Sequence, residues 1–230
     1  MDKLDILNIN EVSFDLATAD ATYQTALNNI NVINSSKLEL QERTVKGLNL
    51  GNLGSFIGIW QGRNAPSSMT DFIGTVDLTA SSSGGEWANK EIEVDSGYDL
   101  TQGIFTIGLF LRGGDVASLS ASMWLTQGRA NNPNPSSIYV VNPTNTQIPV
   151  NYSVPNLVDP KSNLDWVFLF KGDEIQLDYS KAIAYQEISS NDSNGIVNIN
   201  ANLSAGQYIV QYNPGHYKDT ISATHAFTLR

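Results

Sequence analysis

The chain has 230 residues, enough for one large domain or two of ordinary size, each with its own core. Its formal net charge of −10 argues against nucleic acid and anionic membrane as partners reached by electrostatics alone. The absence of cysteine excludes disulfides, thiolate catalysis and Cys-ligated zinc, while 41% apolar and 16% charged residues describe a globular chain.

Residues 1–34 read as an N-terminal arm. Leu4, Ile6, Leu7, Ile9 and Val12 suit a short strand, and Leu16, Tyr23, Leu27 and Ile30 lie at a spacing that predicts a helix over 15–33 with Asp15 as its cap. Asp2 and Asp5 stand where a signal peptide would be basic and then apolar. No stretch approaches the roughly 18 apolar residues of a spanning helix. The expectation is a soluble protein made without a signal peptide, cytoplasmic unless it is released or leaves by a leaderless route.

From Ser35 onward the chain repeats itself. LTQGIFTIGL (100–109) and LSAGQYIVQY (203–212) share Leu, Gly and a period-two strand, with Phe105 matching Tyr208, Ile107 matching Val210 and Leu109 matching Tyr212. SFIGIWQG (55–62) matches DWVFLFKG (165–172), DFIGTVDL (71–78) matches AIAYQEI (182–188), KEIEV (90–94) matches IVNI (196–199), and LSASMWLT (119–126) matches ISATHAFT (221–228). Upstream, SSKLEL (35–40) is paired with SSIYVV (136–141), and TVKGLNL (44–50) with IPVNYSV (148–154). Each copy then holds about seven short strands between turn clusters, which predicts two antiparallel sheets packed face to face. The predicted organisation is an arm over 1–34, a first β-sandwich over 35–127, a Pro/Asn linker over 128–135 stiffened by Pro133 and Pro135, and a second sandwich over 136–230.

The repeated L-x-x-G-x-[YF] sentence resembles the corner before strand F of immunoglobulin-like sandwiches, where a Tyr hydroxyl reaches back to the chain just upstream. Tyr208 can make that bond and Phe105 cannot. DWVFLFKG and SFIGIWQG are similar to the strand segment of SKICH and CALX-type domains, with Asp178-Tyr179 in the place of their acidic-aromatic stretch. The resemblance implies an all-β fold of two tandem immunoglobulin-like antiparallel sandwiches, and it implies docking rather than catalysis.

Gly58 offers nothing to pack, so Ile57 and Ile59, with Val167 and Leu169, are expected in the core. Trp60, Trp166, Phe168 and Phe170 then face away from it as an aromatic patch in need of a partner. Trp87 and Trp124 join them as candidate platforms for sugar rings, with His216 and Tyr217 in a loop able to touch a ligand. His225 takes the place of Met123 on a strand and reads as structural. No catalytic residues are expected: one His near one Asp is no triad, and no nucleophile elbow or phosphate loop is present. No cofactor is implied, although oxygens clustered in NDSN (191–194) and KGDE (171–174) leave calcium open.

The function expected is a non-catalytic binding or adhesion protein whose partner is a glycan or cell surface, in the manner of a toxin's targeting part. Alternatives are a structural subunit of a virion, appendage or other assembly, whose partners are copies of itself, and a membrane-active pore former in which 67–83 rearranges into a hairpin.

Overall fold

The computed structural model describes residues 23–78 and 85–230. In chain order the first unit holds β1 (Ala26–Val32), β2 (Lys37–Arg43), α1 (Leu50–Leu53), β3 (Phe56–Gln61), β4 (Phe72–Asp77), β5 (Ala88–Glu93), β6 (Ile104–Phe110) and β7 (Leu119–Thr126). Two short strands follow, β8 (Arg129–Ala130) and β9 (Asn134–Pro135). The second unit holds β10 (Ser137–Val140), β11 (Gln147–Ser153), α2 (Pro160–Asn163), β12 (Trp166–Lys171), β13 (Ala184–Glu187), β14 (Asn194–Asn200), β15 (Gly206–Asn213) and β16 (Ala223–Leu229).

Pairing is antiparallel throughout, and the sheets come in matched sets. β1-β2-β5 corresponds to β10-β11-β14, and β4-β3-β6-β7 corresponds to β13-β12-β15-β16. Each unit thus sets strands A, B and E against C′, C, F and G, an immunoglobulin-like sandwich. Period-two alternation explains both cores. Leu38, Leu40 and Ile92 of one sheet meet Ile57, Ile59 and Ile107 of the other. In the second unit Ile148, Val150 and Ile199 meet Val167, Leu169 and Val210. The fold is all-β, as the turn spacing predicts.

The structure corrects the reading upstream of Phe56. Residues 26–32, inside the predicted helix, form strand β1 on β2, with a register shift between Asn28 and Asn31 and Asn29 at φ 49°. Thr, Asn, Ile and Val favour this extended pairing over a helix. Residues 1–22, including the strand expected near Leu4–Val12, lie outside the described residues. With β1 in place the repeat shifts by one strand. SSKLEL belongs with β11, since Lys37 faces Glu93 as Gln147 faces Asn200 (147 − 37 = 110). The counterpart of β10 is β1, and Thr44–Leu50 is a bend into α1. Gly54 and Leu164, also 110 apart, both close their helical turn with left-handed backbone at φ 66° and 59°.

The stretch over 128–135 is not a free spacer: β8 and β9 both pair with β7, and Ser136 donates to the Ser120 carbonyl. Other bonds join the units. Tyr23–Thr25 pair with β16 through Thr25 N–H to Ser222 O at 2.7 Å and Thr224 N–H to Tyr23 O at 2.8 Å. Arg112 pairs with Asp219 at 3.2 Å. Tyr208 donates to the Ser204 carbonyl at 2.8 Å, closing the corner that Phe105 leaves unbonded. Within 67–83, residues 69–71 make a short turn and 72–77 form β4, while 79–84 lie outside the described residues. No helix among the described residues is long and apolar enough to cross a membrane.

Candidate functional site

Of the aromatics proposed for one patch, Trp166, Phe168 and Phe170 meet ring to ring, while Trp60 packs elsewhere, in the first unit. Trp60, Phe168 and Phe170 each point away from the inter-sheet core of their own unit, but the chain itself covers them, and this corrects the expected open patch. Trp60 is 2% exposed, and its indole donates to the Asn64 carbonyl at 2.7 Å. Phe72 stands edge-on over Phe56, Trp60 and Phe110, filling the hollow left by Gly58. Phe168 and Phe170 lie under Trp166, Ile175 and Ala182. Gln211 fixes that cover by accepting from Gln176 N–H at 2.7 Å and donating to Gln176 O at 2.9 Å. Trp166 is half-buried, edge-on to Tyr185 and 5.9 Å from the Lys218 ammonium.

His216 is exposed and stacks on Tyr217 at 4.0 Å, and Arg112 covers the Tyr217 ring at 4.0 Å. This loop is therefore part of the junction between the units. His225 pairs with Val210 as Met123 pairs with Ile107, and partial burial lowers its pKa. Trp87 is 40% exposed with the Arg43 guanidinium 4.8 Å from its ring.

Trp124 stands in the most developed setting. On β7 its neighbours Met123 and Leu125 turn into the core, which leaves the indole on the outer face. The Arg63 guanidinium lies 4.8 Å from the ring centroid. β8 and β9 run the chain back along the edge of β7, which brings the linker residues Asn131, Asn132 and Asn134 beside the indole. A hollow of about 460 Å³ opens between Trp124, Arg63, Asn131 and Asn132. A second of about 230 Å³ runs from Trp124 past Asn132 and Asn134 to Asn156 and Leu157 of the second unit. Asn131 is held by its N–H to Trp124 O at 2.8 Å. The arrangement offers an indole with the guanidinium over one of its faces and several neutral carboxamides beside it, groups that can stack on and hydrogen-bond a polyhydroxylated ring. Arg63 and the asparagines escaped the sequence reading. Their only signal was the density of Asn in NNPNP, which also describes a turn.

A separate cleft of about 530 Å³ lies between the units, lined by Tyr23, Lys46, Asp173, Ile175, Leu177 and Phe227 among others.

Two carboxyl groups among the described residues titrate well above their ordinary range. Burial pushes Glu42 up to about 7, against a weaker pull from Lys90, and its Oε1 has no hydrogen-bond partner among the described residues. Burial likewise pushes Asp165 up to about 7, opposed by hydrogen bonds from the Tyr212 hydroxyl and from Gly215 N–H at 2.6 Å. Both lie inside the sandwiches, away from either hollow beside Trp124. Among the described residues no group of three or more His, Cys, Asp or Glu could hold a metal ion. In NDSN, Asp192 accepts from Ser190 Oγ at 2.6 Å, a turn-forming bond, and Asn191 accepts from Ser162 N–H at 2.9 Å, which ties the turn to α2.

No protein-family model matches the sequence, and no curated protein matches it. Among solved structures, a two-domain fibronectin type-III segment of chicken tenascin is similar at 10% identity and a TM-score of 0.29, covering 89% of this chain and 99% of that one. The human OSCAR ligand-binding domain is similar at 11% identity and 0.28, covering 90% and 100%. A DUF3823 family protein from Bacteroides ovatus is similar at 12% identity and 0.30, covering 84% and 97%.

Proposed function

We propose that this protein is a non-catalytic adhesion module that binds a glycan on a cell surface, with Trp124 as its stacking platform. One observation carries the reading: an outward indole flanked by two hollows whose polar side chains are asparagines, Ser122 and a single guanidinium. Neutral amides donate and accept at once, which suits hydroxyl-rich ligands better than charged ones. The alternative of a self-assembling subunit drew on an open aromatic face, and it loses that support because Trp60, Phe168 and Phe170 are covered within the chain.

The test is a glycan array probed with the wild-type protein and with Trp124→Ala, in calcium and in chelator. Wild type is expected to bind a defined set of neutral glycans, and Trp124→Ala to lose about tenfold or more in affinity for them. Equal binding by the two proteins, or no binding by wild type, overturns the proposal.

A further inference from the structure

The two three-stranded sheets are one structure written twice, so their outer faces form an internal comparison. Strand register fixes the equivalent positions. Lys37 opposite Glu93 corresponds to Gln147 opposite Asn200, Glu39 opposite Glu91 to Pro149 opposite Asn198, and Gln41 opposite Asn89 to Asn151 opposite Ile196. In the first unit the face is a solvated, charged surface that satisfies itself. Lys37 Nζ lies 2.6 Å from Glu91, Asn31 donates to Glu39 at 2.8 Å, and Gln41 donates to Asn89 at 3.0 Å. In the second unit none of these positions carries a charge, although the chain as a whole has a net charge of −10. The carboxamides of Asn151, Asn194, Asn198 and Asn200 make no hydrogen bond to another described residue. Tyr139 and Ile196 flank Asn151 in one cross-strand row and are 54% and 62% exposed.

We infer that this face of β10, β11 and β14 is a second contact surface, for an extended neutral glycan chain. The inference rests on the glycan reading of the Trp124 site and gives that ligand a length and a charge class. A polyanion finds no cation at these positions. Three strands about 4.8 Å apart and seven residues at about 3.3 Å rise cover on the order of 300 Å². That is well below the roughly 800 Å² per partner of a stable protein interface, so a second copy fits less well than a ligand chain. The face also continues from the Trp124 hollow. Asn156, which lines that hollow, accepts from Ser193 Oγ at 3.3 Å, and Ser193 precedes Asn194 at the end of the face where Asn194, Ser153 and Ser137 lie side by side. Asn134 and Pro135 of β9 lead into that same end.

Affinity electrophoresis through gels containing galactomannan, xyloglucan or yeast mannan, with hyaluronan as the charged control, tests the inference alongside calorimetry with disaccharides and trisaccharides from the polymer that binds. Two independent variants probe the face, Tyr139→Ala and the double change Asn151→Asp with Asn198→Asp, each checked for unchanged circular dichroism and melting. Retardation by a neutral polymer is expected, with about tenfold weaker polymer binding in both face variants and unchanged affinity for the short sugars. Trp124→Ala should weaken both. Face variants that keep wild-type polymer affinity while Trp124→Ala loses it overturn the second surface and leave the Trp124 site standing. A wild type retarded by hyaluronan instead, or by none of the polymers, overturns both.

Discussion

At the scale of single residues the two units diverge most at Glu42 and Tyr152. They occupy the same place, since Glu42 opposes Ala88 on β5 as Tyr152 opposes Gly195 on β14. Tyr152 crosses over Gly195, whose absent Cβ would lie 2.8 Å from the hydroxyl, and donates to the Asp192 carbonyl at 3.3 Å. Glu42 is too short to reach out in this way, so its carboxyl stays in the core. With its pKa raised from 4.5 to about 7, the folded chain keeps a proton that the unfolded chain has released. Stability is therefore full below about pH 4.5 and declines as pH rises toward 7, by on the order of 3 kcal/mol for a shift of this size. Asp165 contributes a decline of the same sign. Glu42→Gln removes the first contribution. Thermal melts at pH 5 and pH 8 should show a smaller gap between the two pH values for the variant than for wild type; an unchanged gap would mean that Glu42 titrates as an exposed carboxyl does.

At the scale of elements, the C strands show what the sequence could and could not say. Their alternation was legible: Ile57, Ile59, Val167 and Leu169 turn inward because a pleated strand allows nothing else once one face is aliphatic. What covers the opposite face was not legible, because it depends on a neighbouring strand. Phe72 reaches Gly58 only because β4 shifts register between the partners of Ile59 and Trp60. Strand β1 was missed for a related reason, since Leu27 and Ile30 fit a helical stripe and only pairing with β2 decides the matter. The aromatic cover in turn requires its glycines. A Cβ on Gly108 would lie 2.7 Å from Leu119 and 2.9 Å from Trp60, and one on Gly58 would lie 2.6 Å from Phe72. Gly58→Ala and Gly108→Ala should each cost about 1–3 kcal/mol in urea unfolding, by forcing rings out of their rotamers. A loss below about 0.5 kcal/mol in both would show that the rings repack freely.

At the scale of the whole molecule, the apolar interior does not stop between the sandwiches. Phe56, Trp60, Phe110 and Leu119 of the first unit belong to the same buried cluster as the second unit's core, and Ile221 joins the cluster of the first. The tandem organisation was legible in the repeat, whereas this sharing was not, because it arises from residues that have no counterpart contact in the other copy. Calorimetry should accordingly show one unfolding transition; two resolved peaks would mean that the units melt independently. The bond between Tyr23–Thr25 and β16 carries the same coupling into biosynthesis. Its two halves stand 201 residues apart. A ribosome adding 5–20 residues per second therefore delivers them roughly 10–40 s apart. Through that interval the nascent chain holds an unanswered stretch of backbone beside its first sheet, a window in which a chaperone or a stray strand from another molecule can take the place that β16 later fills.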